Sequence, residues 1–155
     1  MKALEKKVLN WADDKSLLER KNIIKQCSKL DEEVEEFSFE ILNGSKEEAK
    51  MELGDVMVVS TIIIKQLDSS LKECLSLVDG LDCEYYELEP RKDTLKYFIE
   101  NGNFEGAKEE IGCFILVCES WAQRLGTTSI KCLEMAYNKI SKRKGKTING
   151  TFVKD

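Results

Sequence analysis

Apolar residues recur at helical spacing along nearly the whole chain. In residues 2–11, Leu4, Val8, Leu9 and Trp11 share a face, which predicts a short amphipathic helix. Residues 16–42 carry Leu17, Leu18, Ile23, Ile24, Cys27, Leu30, Val34, Phe37 and Ile41 in the same rhythm and predict one long helix. Asn43-Gly44 stops it. Ser45, with Glu48 three residues on, reads as a capping box opening a helix that runs to about Leu67. A shorter helix should start at Asp68 or Ser69 and reach about Val78. Residues 79–90 are less regular and end at the single proline. Helical spacing resumes near 91–100, 104–125 and 128–142, and the tail KGKTINGTFVKD reads as irregular or as a short strand. The expected fold is all-α.

The pattern repeats. NGSKEEAKMELGD (43–55) overlies NGNFEGAKEEIGC (101–113) at an offset of 58 residues, with seven identities in thirteen. The register continues through Val59 with Val117, Leu67 with Leu125 and Cys74 with Cys132. One domain over residues 1–155 is therefore expected. It is a bundle of two tandem helical hairpins, about 16–78 and 88–143, the second a degenerate copy of the first. The copies differ in their charged residues. Glu32, Glu33, Glu36 and Asp55 correspond to Pro90, Arg91, Thr94 and Cys113, while Lys139 and Arg143 correspond to Leu81 and Tyr85. Each copy has lost what the other keeps, as one composite site would leave them.

Composition narrows the chemistry. A chain of 155 residues with 42% hydrophobic content is large enough for a real core. The net charge of −5 argues against a general nucleic-acid binder. The N-terminus lacks the apolar core of a secretion signal, and the longest apolar run, VMVVSTIII, is too short to span a bilayer. The expectation is a cytoplasmic protein with no membrane partner and six reduced cysteines, packed as small hydrophobes. There is no histidine and no CxxC pair, so a structural zinc site is not expected. Proton chemistry near neutral pH falls to carboxylates, lysine or a cation-activated water.

Carboxylates are where the sequence is unusual. Glu32, Glu33, Glu35 and Glu36 crowd one helix, and like charges three or four apart repel by a few tenths of a kcal/mol. A solvated acidic face would explain these four alone. Glu52 and Asp55 are harder to explain that way, because they sit in the apolar MELGDVMVVSTIII, where buried carboxylates need partners. Glu33 and Glu36 are i,i+3, as are Glu52 and Asp55, and the Asn-Gly turn makes the two helices antiparallel neighbours. The pairs can meet across that interface as an oxygen-rich pocket suited to Mg²⁺. Glu32 lies one residue off the face. Lys139 and Arg143, four apart on the last expected helix, suit a triphosphate, Arg as a fork and Lys as a point charge. A basic helix end favoured by its own dipole explains them equally. Lys29 and Lys50 flank the acidic motifs. Trp11 has the ring to stack on a base or to pack in the core, Gln26 has the amide to read a base edge, and Trp121 reads as core.

EEVEE followed by ELGD resembles the EExxE…ExxD signature of MazG-like nucleoside triphosphate pyrophosphohydrolases. The likeness extends upstream through NWADDKSLLERKNIIKQCSKL and to the closing AYNKISKRKGKTINGTFVKD, so it covers most of the chain. It implies an all-α, Mg²⁺-dependent enzyme (Mn²⁺ as a substitute) that cleaves NTPs or dNTPs to monophosphate and pyrophosphate, in pool control or house-cleaning. It also implies a homodimer or higher homo-oligomer. Carried over by position, the metal ligands are Glu33, Glu36, Glu52 and Asp55, with Glu32 assisting. The likeness also favours the N-terminal region, with Trp11 and Gln26, as part of the site. The chain departs from the family by its second, degenerate copy. A non-catalytic nucleotide-binding protein and a helical interaction module remain the alternatives.

Overall fold

Seven α-helices and one small hairpin build the chain in a computed structural model describing residues 1–155. The helices are α1 (Lys2–Asp14), α2 (Ile23–Asn43), α3 (Lys46–Gln66), α4 (Leu71–Leu77), α5 (Leu88–Glu100), α6 (Phe104–Arg124) and α7 (Ser129–Ile140). The fold is all-α, as the periodicity predicts. The tail is a two-stranded antiparallel hairpin, β1 (Gly145–Ile148) and β2 (Thr151–Lys154). Its turn residues Asn149 and Gly150 have φ of 51° and 79°. Two successive positive φ values match the right-handed twist of the strands they join.

The repeat is visible in the caps. Gly44 leaves α2 at φ 86°, and Gly102 stands before α6 at φ 70°. Ser45 Oγ accepts the Glu48 N–H at 3.3 Å, and Asn103 Oδ1, at the matching position, accepts the Gly106 N–H at 3.0 Å. Only the serine arm of the expected capping box forms. Ser70 and Thr128 cap α4 and α7 in the same way, each through its hydroxyl at 3.2 Å.

Packing crosses between the copies. Within each copy α2 lies on α3 and α5 on α6, but α3 also packs along α7 and α6 along α4. Two glycines explain the closeness. A Cβ on Gly54 would strike the Cys132 carbonyl, and a Cβ on its repeat mate Gly112 would strike the carbonyl of Cys74, the repeat mate of Cys132. The two copies thus clasp each other by one reciprocal contact. A single cluster of buried hydrophobics, from Val8 to Ile140, runs through both, so the halves share one core. All six cysteines are buried and unbridged within this structure. No helix is long and apolar enough to cross a membrane.

Several boundaries differ from the expectation. The helix expected over residues 16–42 begins only at Ile23, after a single 3₁₀ turn at Arg20–Asn22. Ser16 has φ 56°, and the Gln66 side chain donates to the Leu17 carbonyl at 2.7 Å, holding the segment out of helix. Ile24, expected inward, is 45% exposed. Asp68 takes φ 58°, which pushes the start of α4 to Leu71. Pro90 lies inside α5 rather than before it. In the first helical turn a backbone N–H has no intrahelical partner, so proline costs nothing there. α7 ends at Ile140, so Arg143 sits in the turn beyond it and not on a helical face with Lys139. The Arg143 N–H closes that turn on the Ile140 carbonyl at 3.0 Å.

Candidate functional site

Trp11, Gln26, Lys29, Glu32, Glu33, Glu36, Glu52, Asp55, Lys139 and Arg143 all line one cavity of about 340 Å³. Four separated stretches of chain supply them. On α2, Gln26, Lys29, Glu33 and Glu36 follow helical spacing and share the face that looks at α3. Because the helices run antiparallel, Glu52 and Asp55 stand opposite Glu36 and Glu33, while Val59 and Ile62 stand opposite Lys29 and Gln26. The cavity therefore has a carboxylate end and an end with more apolar walls. α7 brings Lys139, and α1 brings Trp11. Lys50, also weighed from the sequence, is not at the cavity and pairs with Glu47 at 2.7 Å. Trp121, expected in the core, is partly buried and packs against it, edge-on to Phe37 with ring centres 5.3 Å apart.

At the carboxylate end, one oxygen each from Glu33, Glu36 and Glu52 lies within 4.8 Å of the others. Glu33 is only 6% exposed. One of its oxygens meets Lys29 Nζ at 3.1 Å, but Glu33 Oε2 and Glu52 Oε2 are buried with no hydrogen-bond partner. Burial pushes the Glu33 carboxyl up to about 7, with Asp55 and Glu36 adding to the shift and Lys29 opposing it. Glu52 is likewise raised to about 7 by burial, then by Asp55 and Glu36, against Lys139. Buried Glu33 and half-buried Glu52 face Glu36, so burial and mutual repulsion both disfavour their charged forms. Asp55 stands at the margin of this cluster, held by Lys139 Nζ at 2.6 Å. Glu32 is more exposed and shares Lys29 at 3.3 Å. Arg143 has no ion-pair partner.

The second copy offers a comparison within the same molecule. At the position of Glu33 stands Arg91, and at that of Glu52 stands Glu110, and the two meet at 3.4 Å. Arg91 also binds Glu87 at 3.1 Å. Where the second copy keeps its buried glutamate, a fixed guanidinium supplies the positive charge. In the first copy Lys29 takes one oxygen of Glu33 at 3.1 Å, and Glu33 Oε2 and Glu52 Oε2 are left without a partner.

The hairpin adds residues that the helical reading missed. Thr151, Phe152 and Lys154 line the cavity. Phe152 lies edge-on to Trp11, ring centres 5.3 Å apart and planes 76° apart. Lys15 Nζ sits 5.3 Å from the centre of the Phe152 ring, and Thr147 Oγ1 donates to the Lys15 carbonyl, tying the hairpin to the end of α1. Asn-Gly between Thr-Ile and Thr-Phe-Val was the available signal for a hairpin. Nothing local said which wall it would form. At this end the Trp11 indole nitrogen is buried without an acceptor, and Gln26, 4% exposed, makes no side-chain hydrogen bond. Comparison with known proteins finds no matching family model, no matching curated protein and no matching solved structure.

Proposed function

We propose that this chain is a divalent-cation-dependent nucleoside triphosphate pyrophosphohydrolase of the MazG-like kind, converting an NTP or dNTP and water to the monophosphate and pyrophosphate. The observation that carries the reading is the pair of buried, unpartnered carboxylate oxygens on Glu33 and Glu52, beside Glu36. An unpaired buried charge costs several kcal/mol unless neutralised. At the mirror position Arg91 pairs with Glu110, whereas Glu52, the mate of Glu110, has no ion-pair partner and Lys29 meets only one oxygen of Glu33.

The donor set is all carboxylate oxygen with no sulfur or imidazole, which fits Mg²⁺ or Mn²⁺ and not zinc. Glu33, Glu36 and Glu52 would hold the ion, with Asp55 next to them. When bound, a divalent ion there would neutralise charge on phosphate oxygens and acidify water, the second a function for which this chain has no histidine base. Lys139 is set by Asp55 at the edge of the acids, where an incoming phosphate competes for it. Arg143, free of ion pairs, is the second anion contact, and its planar fork suits phosphate. Lys29 offsets part of the charge of Glu32 and Glu33, so the site is not purely repulsive to a polyanion.

Phosphorus NMR on the protein incubated with Mg²⁺ and a panel of (d)NTPs tests the reading. Monophosphate and pyrophosphate should appear together in one step. Release of orthophosphate and a diphosphate as the first products, or no cleavage of any nucleotide, overturns it.

A further inference from the structure

We infer that the end of the cavity formed by Trp11 and Gln26 reads the pairing edge of a pyrimidine base. The inference rests on the nucleotide reading above and adds the substrate class. Gln26 lies seven residues, about 10 Å of helix, before Glu33 on the same face of α2. That offset separates the base end of a nucleotide from its phosphate end. The walls there are Leu17, Val59 and Ile62, which suit a planar ring, and a cavity of about 340 Å³ is small for a ligand site.

The polar groups at that end have no partners in the protein. Trp11 offers one buried N–H donor without an acceptor. Gln26, more than nine-tenths buried, offers a carboxamide with one accepting and one donating side and no protein hydrogen bond. Three groups result: a donor, plus an amide that turns either way. The pairing edge of uracil presents acceptor, donor, acceptor, and the set satisfies all three. Cytosine presents acceptor, acceptor, donor, and the flipped amide satisfies those too. Guanine presents one acceptor and two donors, which leaves the amide NH₂ unmatched. Adenine presents only two groups. Buried polar groups left unpaired are what a site rejects most strongly. Phe152, brought in by the hairpin, packs edge-on against the indole with planes 76° apart and braces the ring from that side.

Two measurements test this. The first is kcat/KM for dUTP, dCTP, dATP and dGTP, with the wild type, Trp11→Phe and Gln26→Leu. Wild type should favour both pyrimidines by about tenfold or more. Each substitution should erode that preference through KM, with kcat little changed. The second reads binding without turnover. In a Trp121→Phe background Trp11 is the only tryptophan of the two in the chain, and its emission should shift with dUMP or dCMP but not with dAMP or dGMP. Equal turnover of purines, or an unchanged preference in Trp11→Phe, overturns the pyrimidine inference and leaves hydrolysis standing. Pyrimidine-selective emission changes with no cleavage of any triphosphate would uphold the inference and overturn the enzyme. Absence of both effects overturns both.

Discussion

Single carboxylates decide whether this cavity is a site or a solvated acidic face. Glu52→Gln keeps the shape and removes one half-buried acid. Turnover should fall by about 10²–10³-fold, the loss usual when one preorganised electrostatic group is removed. The metal-free protein should at the same time become more heat-stable, because a repulsion has gone. Parallel assays of rate and melting temperature check both; a variant with normal turnover counts against the metal-site assignment. Arg91→Gln makes the opposite case. It leaves Glu110 buried beside an uncharged neighbour and should cost ~1–3 kcal/mol in a urea titration. The acids were legible in the sequence because i,i+3 spacing and an apolar context are local facts. The bond between Lys139 and Asp55 was not, since its partners are 84 residues apart. Arg143 was read onto a helix that had already ended at Ile140.

At the level of elements, the informative positions are the two glycines between α3 and α7 and between α6 and α4. Gly54→Ala places a methyl group against the Cys132 carbonyl, backbone that gives way only if a helix moves. Overpacking of this kind should cost about 1–3 kcal/mol. Gly112→Ala should behave alike at the mirror contact, by chemical denaturation of each variant; no loss at either position would show that the helices do not approach so closely. Helix existence, the Asn-Gly stop and the serine cap of α3 were readable from periodicity and capping chemistry. The start of α2 was not, because Gln66, from another helix, holds residues before it extended. Pro90 misled because helix-breaking applies to interiors, and this proline sits in a first turn.

Across the whole molecule, protons and cations compete for the same carboxylates. Folding raises the Glu33 and Glu52 carboxyls from the usual 4.5 to about 7, so over that interval the folded chain binds protons more tightly than the unfolded one. For these groups, metal-free stability is fullest at the acid end of the window and is lost as pH rises through 7. The melting temperature without metal should therefore be lower at about pH 8 than at about pH 5.5, and Mg²⁺ should recover more of it at the higher pH, where ions need not displace protons. A metal-independent melting temperature at both values would contradict the site.

The reciprocal clasp has a consequence for assembly. Each long central helix finds its cross-copy partner only because the connector between α4 and α5 lets the chain double back. Deleting residues 79–82 would deny that return while leaving every packing surface intact. α3 of one molecule would then accept α7 of another, and the lost contacts would be remade by exchange between identical chains. The shortened protein should elute as a domain-swapped dimer with the same helical content, and its two cavities would each draw Glu52 and Lys139 from different molecules.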